Sequence, residues 1–252
     1  MTTEPRTAGT TAWVDLSTPD PAAAAAFYSA LLGWATETDD TPMGTYTVGR
    51  VAAGPVGGMM APAPDAEGMP PMWAVFFATD DIEAACARAE AAGATTLQPP
   101  MEVPGGDRIA VVADPAGATV GLMQPAAGEP LAYGELGTVC WVETDSRDPE
   151  ASKTFYETVF GWTTTGDADG YRVFGRNGDQ VGGLMAMPAE VPEMVPSYWL
   201  VYFKVADVDQ ACQATTDLGG AIVAPTMEVE GMRFAVATDP AGAVFGLLSP
   251  LV

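Results

Sequence analysis

From residue 12 to 17 the chain alternates apolar and polar side chains (AWVDLS), the period of a strand with one buried face. The apolar positions then fall at helical spacing from Pro21 to about Leu32. Asp20 is placed to cap that helix, Pro21 suits its first turn, and Gly33 stops it. Three short strand-like runs follow near 44–49, 51–54 and 56–61, separated by glycine and proline. The order then recurs. A strand at 73–79 leads to a helix capped by Asp80 or Asp81, which runs through Ala92 and ends at Gly93. Strands near 95–98, 108–113 and 118–123 complete it, so the pattern predicts an α+β chain of βαβββ modules.

The whole block is repeated. WVDLSTPDPAAAAAFYSALLGW at 13–34 and WVETDSRDPEASKTFYETVFGW at 141–162 agree in register at an offset of 128. The likeness continues through GPVGGMM and DQVGGLM, MWAVFFATDDIEAAC and YWLVYFKVADVDQAC, and two copies of a DPAGA segment, with the offset drifting only to 125. A repeat this long is a repeated fold. Four modules therefore account for nearly all of the 252 residues, with domains expected at 11–124 and 137–250 and a Pro- and Gly-rich linker at 125–136. One helix covers only one face of a small sheet, so modules are expected to pair around a shared cavity. Pairing across the repeat boundary stays open.

The element order, the FYxxxxGW helix end, the GG(M/L)M strand and the DPAGAxxGL terminus resemble the vicinal oxygen chelate superfamily of glyoxalases, extradiol dioxygenases and bleomycin resistance proteins. The duplicated layout is similar to tandem glyoxalase-like proteins of actinobacteria. The resemblance implies two tandem glyoxalase-like domains. It also implies metal ligands seven residues before the Asp that opens each helix and on the last strand of each domain. Those places hold Trp13, Ala74 and Gly121 in the first repeat, and Trp141, Leu200 and Gly246 in the second. None is a metal donor, so no metal is expected.

Period two places Asp15 on the strand face of Trp13, and Glu143 on that of Trp141. These carboxylates are the candidate catalytic or anchoring groups, or else structural acids held by backbone donors or an arginine. Arg108 and Arg233 stand at equivalent places as partners for those acids or for an acidic ligand. Tyr46, Met60, Trp73, Tyr171, Trp199 and Tyr202 are candidate walls for a flat or apolar ligand, although such residues also build ordinary cores. Lys204 is either an inward base or a strand-edge charge.

Charge and composition narrow the function. With 10 basic and 33 acidic side chains the formal net charge is −23, which argues against nucleic acid and anionic membrane as partners. There is no histidine, which removes Ser-His-Asp and Cys-His catalysis. The three cysteines, Cys86, Cys140 and Cys212, read as buried small hydrophobes rather than a disulfide. GPVGGMM and VPGG lack the context of a phosphate or dinucleotide loop, and no cofactor is expected. The start MTTEPRTAGT has no signal-peptide pattern, so the expected location is cytoplasmic, as a monomer or weak homodimer. The expected function is metal-independent binding of an aromatic or largely apolar small molecule, in resistance or sequestration. The alternative is a metal-free lyase, isomerase or hydroxylase-like enzyme that uses Asp15 or Glu143, or an organic cofactor.

Overall fold

Capping chemistry sets the four helices. Asp20, Asp81, Asp148 and Asp207 each accept the backbone N–H three residues on, at 2.9–3.0 Å. They open α1 (Pro21–Leu32), α2 (Ile82–Ala91), α3 (Pro149–Phe160) and α4 (Val208–Asp217). Gly33 and Gly161 close α1 and α3 with left-handed φ values of 75° and 69°, where a side chain would be strained. The computed structural model describes residues 7–63, 68–167, 170–229 and 231–250. No helix among them is long and apolar enough to cross a membrane.

Among the described residues there are also sixteen strands. The first repeat supplies β1 (Thr11–Ser17), β2 (Ala35–Thr41), β3 (Gly44–Val51), β4 (Gly54–Met60), β5 (Met72–Ala78), β6 (Thr95–Glu102), β7 (Arg108–Ala113) and β8 (Thr119–Gln124). The second supplies β9 (Val139–Ser146), β10 (Thr163–Gly166), β11 (Arg172–Arg176), β12 (Asp179–Ala186), β13 (Tyr198–Lys204), β14 (Ala221–Val229), β15 (Met232–Thr238) and β16 (Val244–Pro250). The strand orders are β2-β3-β4-β1-β5-β8-β7-β6 and β10-β11-β12-β9-β13-β16-β15-β14. These are the four expected modules, arranged as two tandem eight-stranded sheets.

Three features differ from the sequence reading, the first being β2, a strand that it does not predict. β2 is ATETDDT, exposed along almost its whole length at a sheet edge, so it has no buried face to impose alternation. The expected runs at 44–49 and 51–54 are instead one strand, β3, and the turn into β4. β6 continues through Pro99 and Pro100 to Glu102 because it too is an edge strand, where missing N–H donors are tolerated and the register shifts.

The contact-dense units do not follow the repeats. One combines the chain up to Trp13 with Ala74–Pro130 and Val142–Leu200; the other combines Val14–Trp73, Leu131–Trp141 and Val201–Val252. Each unit thus takes one module from each repeat, and module pairing crosses the repeat boundary. In the first unit, Asp114 Oδ1 accepts from Ala116 and Ala118 N–H, while Oδ2 accepts from Ser152 Oγ on α3 at 3.1 Å. In the second, Asp239 Oδ1 accepts from Ala241, Gly242 and Ala243 N–H, and Oδ2 accepts from the Tyr28 hydroxyl on α1 at 3.3 Å. The DPAGA turn of one repeat is therefore fastened to the FY helix of the other. Burial drives the Tyr28 and Tyr156 hydroxyls well above the ordinary range, so both remain protonated donors.

Around each tyrosine an aromatic core forms from the GW motif and the fifth strand of a repeat. Tyr28 stacks on Trp34 at 5.3 Å, meets Trp73 edge-on at 5.3 Å, and accepts from Trp73 Nε1 at 3.0 Å. Tyr156 stacks on Trp162 at 5.7 Å and accepts from Trp199 Nε1 at 2.8 Å. The two remaining indole N–H groups of these motifs also find acceptors, Trp34 at Gly137 O and Trp162 at Gly9 O. These buried polar tips are satisfied, as a stable aromatic core requires.

Candidate active site

The first strand of each repeat places its carboxylate opposite a glycine. Asp15 registers against Gly58 and Glu143 against Gly183 in parallel pairs with β4 and β12. A Cβ at Gly58 would collide with the Tyr46 hydroxyl and the Asp15 carboxylate, and one at Gly183 would collide with the Tyr171 hydroxyl and crowd Glu143. The second glycine of each GG pair therefore clears the floor beneath a tyrosine, and in the first repeat that tyrosine, on the neighbouring strand, reaches the carboxylate. Tyr46 donates to Asp15 Oδ1 at 2.6 Å, a short hydrogen bond. Met60 lies across from Tyr46 on the same half-buried face, and Trp13 packs half-buried beside Phe76 and Met123.

The second repeat adds a group that the sequence reading missed. Asp145 lies two residues beyond Glu143 on the same face of β9, registered against Met185, and both acids are buried, at 5% and 6% exposure. Tyr198, at the start of β13, donates to Asp145. Burial pushes the Asp145 carboxyl up to about 6, opposed in part by that hydrogen bond. Asp145 Oδ1 is buried without a hydrogen-bond partner. The Tyr198 hydroxyl is itself raised by burial and by the two acids, so it acts as a donor. The alternation that pointed to Glu143 also points to Asp145, whose first-repeat equivalent is Ser17, so only one copy carries the second acid. A strap from Met187 to Ser197 closes the end of the strand. Met187 N–H donates to Ser146 O, and the Arg147 guanidinium donates to the Val191, Pro192 and Val195 carbonyls.

Several expected wall residues sit elsewhere. Trp73 and Trp199 are 3% and 4% exposed and belong to the aromatic cores described above, because their indole N–H groups are bonded to buried tyrosines on the helices. Arg108 and Arg233 do not meet Asp15 or Glu143. Both turn toward the helices, Arg108 forking onto Glu83 of α2, and Arg233 pairing with Asp209 of α4 at 2.9 Å and Glu228 at 3.3 Å. Tyr202 is 4% exposed, laid across Gly246 and edge-on to Phe234 at 6.3 Å. Trp141 is half-buried and Tyr171 is 44% exposed. Lys204 is half-buried and donates to Gly134 O at 2.7 Å, a structural use of its charge. A groove of about 650 Å³ lies between α1 and strands β2 and β3, walled by alanine and threonine methyl groups, on a different face from the carboxylates.

The chain's matches with known proteins fit this architecture. The family model of the Glyoxalase/Bleomycin resistance protein/Dioxygenase superfamily matches residues 10–122 and 144–247. The chain belongs to that superfamily. It is 35% identical over 254 residues to "Putative glyoxylase CFP32" of Mycobacterium tuberculosis, covering 96% of this chain and 95% of that protein. It is also 35% identical over 257 residues to "Anthracycline biosynthesis protein DnrV" of Streptomyces peucetius, covering 95% and 93%. Among solved structures, the Mn(II)-bound glyoxalase of Novosphingobium aromaticivorans superposes with a TM-score of 0.70 at 18% identity, covering 98% of this chain and 84% of that one, a likeness of fold.

A metal of the kind that glyoxalase holds does not fit the residues here. The places the family resemblance assigns to ligands carry indole, methyl, isobutyl or no side chain, and the Phe76 ring lies across Gly121 as Tyr202 lies across Gly246. Among the described residues, no three His, Cys, Asp or Glu side chains gather as a metal site.

Proposed function

We propose that this superfamily member is a metal-independent enzyme that moves protons on a flat, largely apolar small molecule, with a buried carboxyl on a first strand as its acid–base group. The observation that carries this reading is the pair of buried acids Glu143 and Asp145 on one strand face, with Tyr198 holding one of them. Burial raises one of them, Asp145, toward neutral pH, the range in which a carboxyl can give a proton. The exposed ring of Tyr171 and the half-buried thioether of Met185 provide aromatic and polarizable contact beside them. The relative named for anthracycline biosynthesis supports a fused aromatic ligand. The net charge of −23 and the paired acids favour a neutral ligand over a nucleic acid or another polyanion.

A second reading, sequestration without reaction, draws on the first repeat. There the Asp15 carboxylate is already engaged by Tyr46 at 2.6 Å, while Met60 remains half-buried as a wall. One experiment separates the readings. Chain freed of metal with EDTA is incubated with flat aromatic ketones and phenols; binding is followed by tryptophan fluorescence and chemical change by mass spectrometry. Binding with proton exchange or turnover is expected. Binding without change favours sequestration, and activity that appears only after a divalent metal is restored refutes the metal-independent reading.

A further inference from the structure

The duplication supplies an internal comparison. In the first repeat Asp15 is followed on its face by Ser17, and its carboxylate is closed by Tyr46. In the second repeat Glu143 is followed by Asp145, and one oxygen of Asp145 is buried without a partner. Buried polar atoms are ordinarily satisfied, so an orphaned carboxyl oxygen beside a second acid marks a place where a ligand atom completes the bonding. Alternate residues of one strand lie about 6–7 Å apart along it, close enough for two carboxyls to bracket the H–C–C=O unit of one small molecule. Two acids together repel an anionic ligand and leave a neutral one.

We propose that the second repeat carries the working site, in which Asp145 gives a proton to the carbonyl oxygen of a flat aromatic ketone while Glu143 takes one from the adjacent carbon. This rests on the acid–base reading above. The ionised Glu143 forms a bond to the hydrogen, the C–H pair becomes the C=C bond of the enol, and the carbonyl π pair moves to oxygen. That oxygen takes the proton of Asp145. One proton leaves carbon and one reaches oxygen, and the reverse step with the roles exchanged returns the ketone with a hydrogen derived from solvent. No oxidant or reductant is needed. Tyr198 is a positioning residue, since it fixes the other side of Asp145. Among the described residues, Tyr198 on β13 bonds Asp145, and Glu143 on β9 and Arg147 just beyond it act in turn on Tyr198. Burial supports the donor role, because it keeps Asp145 protonated up to about pH 6.

The test uses the full chain, freed of metal, in deuterated buffer under nitrogen, with 2-tetralone and 1-tetralone as probes. Deuterium gained by the probe is read by mass spectrometry, binding by quenching of tryptophan fluorescence, and folding by circular dichroism. The expected result is exchange faster than in buffer alone, reduced about 100-fold or more by Asp145→Asn and by Glu143→Gln with quenching retained. Tyr198→Phe should slow exchange less and move the upper limb of the pH profile upward, because it removes a hydrogen bond that favours the ionised acid and so keeps Asp145 a proton donor to higher pH. Exchange that survives Asp145→Asn and Glu143→Gln but is lost in Asp15→Asn overturns this inference while leaving the acid–base reading standing. Quenching without exchange in the wild type overturns both. An exchange rate that is flat from about pH 5 to about pH 7.5 in the wild type overturns the assignment to Asp145 even where the Asp145→Asn variant does not fold.

Discussion

Replacing Asp145 by asparagine should stabilise the protein at alkaline pH, and by an amount the structure sets. The carboxyl is raised from 3.8 to about 6, so the folded state binds more protons than the unfolded chain between those values, and stability falls as pH rises through that window. A rise of that size corresponds to about 3 kcal/mol of destabilisation, fully present above pH 6, roughly half present at pH 5 and nearly gone below the ordinary carboxylate value. Asparagine removes that penalty and keeps an acceptor for Tyr198, but its amide N–H groups need a partner in the place where Oδ1 has none, at a cost of about 1 kcal/mol. The variant should therefore be more stable by about 2 kcal/mol at about pH 8 and level with the wild type, or slightly less stable, at about pH 4. Urea unfolding of both proteins at several pH values, followed by tryptophan fluorescence, measures this directly. A stability difference that does not change with pH would refute the argument that burial holds the acid protonated.

Other changes test the packing. Gly121→Ala places a methyl group against the ring of buried Phe76 and should lower stability by about 1–3 kcal/mol in the same assay. Tyr156→Phe leaves Trp199 Nε1 without its acceptor and weakens the tie between α3 and the DPAGA turn of the first repeat, for a loss of about 2 kcal/mol and a lower melting temperature. Arg108→Ala should leave the affinity for an aromatic ketone within about twofold of the wild type, because its fork is spent on Glu83, whereas a large loss would restore it as a ligand contact. Burial raises the thiols of Cys86 and Cys212 and pushes that of Cys140 up to about 12, so all three should react slowly with a thiol reagent at about pH 8 and rapidly after unfolding.

The repeat, the four modules, the helix caps and the superfamily are all legible in the order of the amino acids. Each of these is local: an Asp three residues ahead of an N–H, a proline in a first turn, an alternating strand, a motif matched to its copy. The lack of donors at the family's metal positions is legible in the same way. The face of Asp15 and Glu143 followed from strand period alone, and the same period contained Asp145. That acid went unread because its copy in the first repeat is a serine, and a comparison of copies draws attention to what they share.

Which module packs with which came from contacts between distant parts of the chain. Tyr28 meets Asp239 and Tyr156 is tied to Asp114, contacts that close long loops and that no local pattern encodes. Packing also fixed the fate of side chains that could serve in either of two ways. Trp73 and Trp199 turn into the cores because a buried tyrosine hydroxyl on a helix accepts each indole N–H, and Arg108 and Arg233 turn to acids on α2 and α4. Strand period gives a face, but which face meets the helix, and which partner waits there, depends on residues that are distant in sequence. The raised affinity of Asp145 for its proton has the same origin, because desolvation belongs to the packed surroundings and not to the residue.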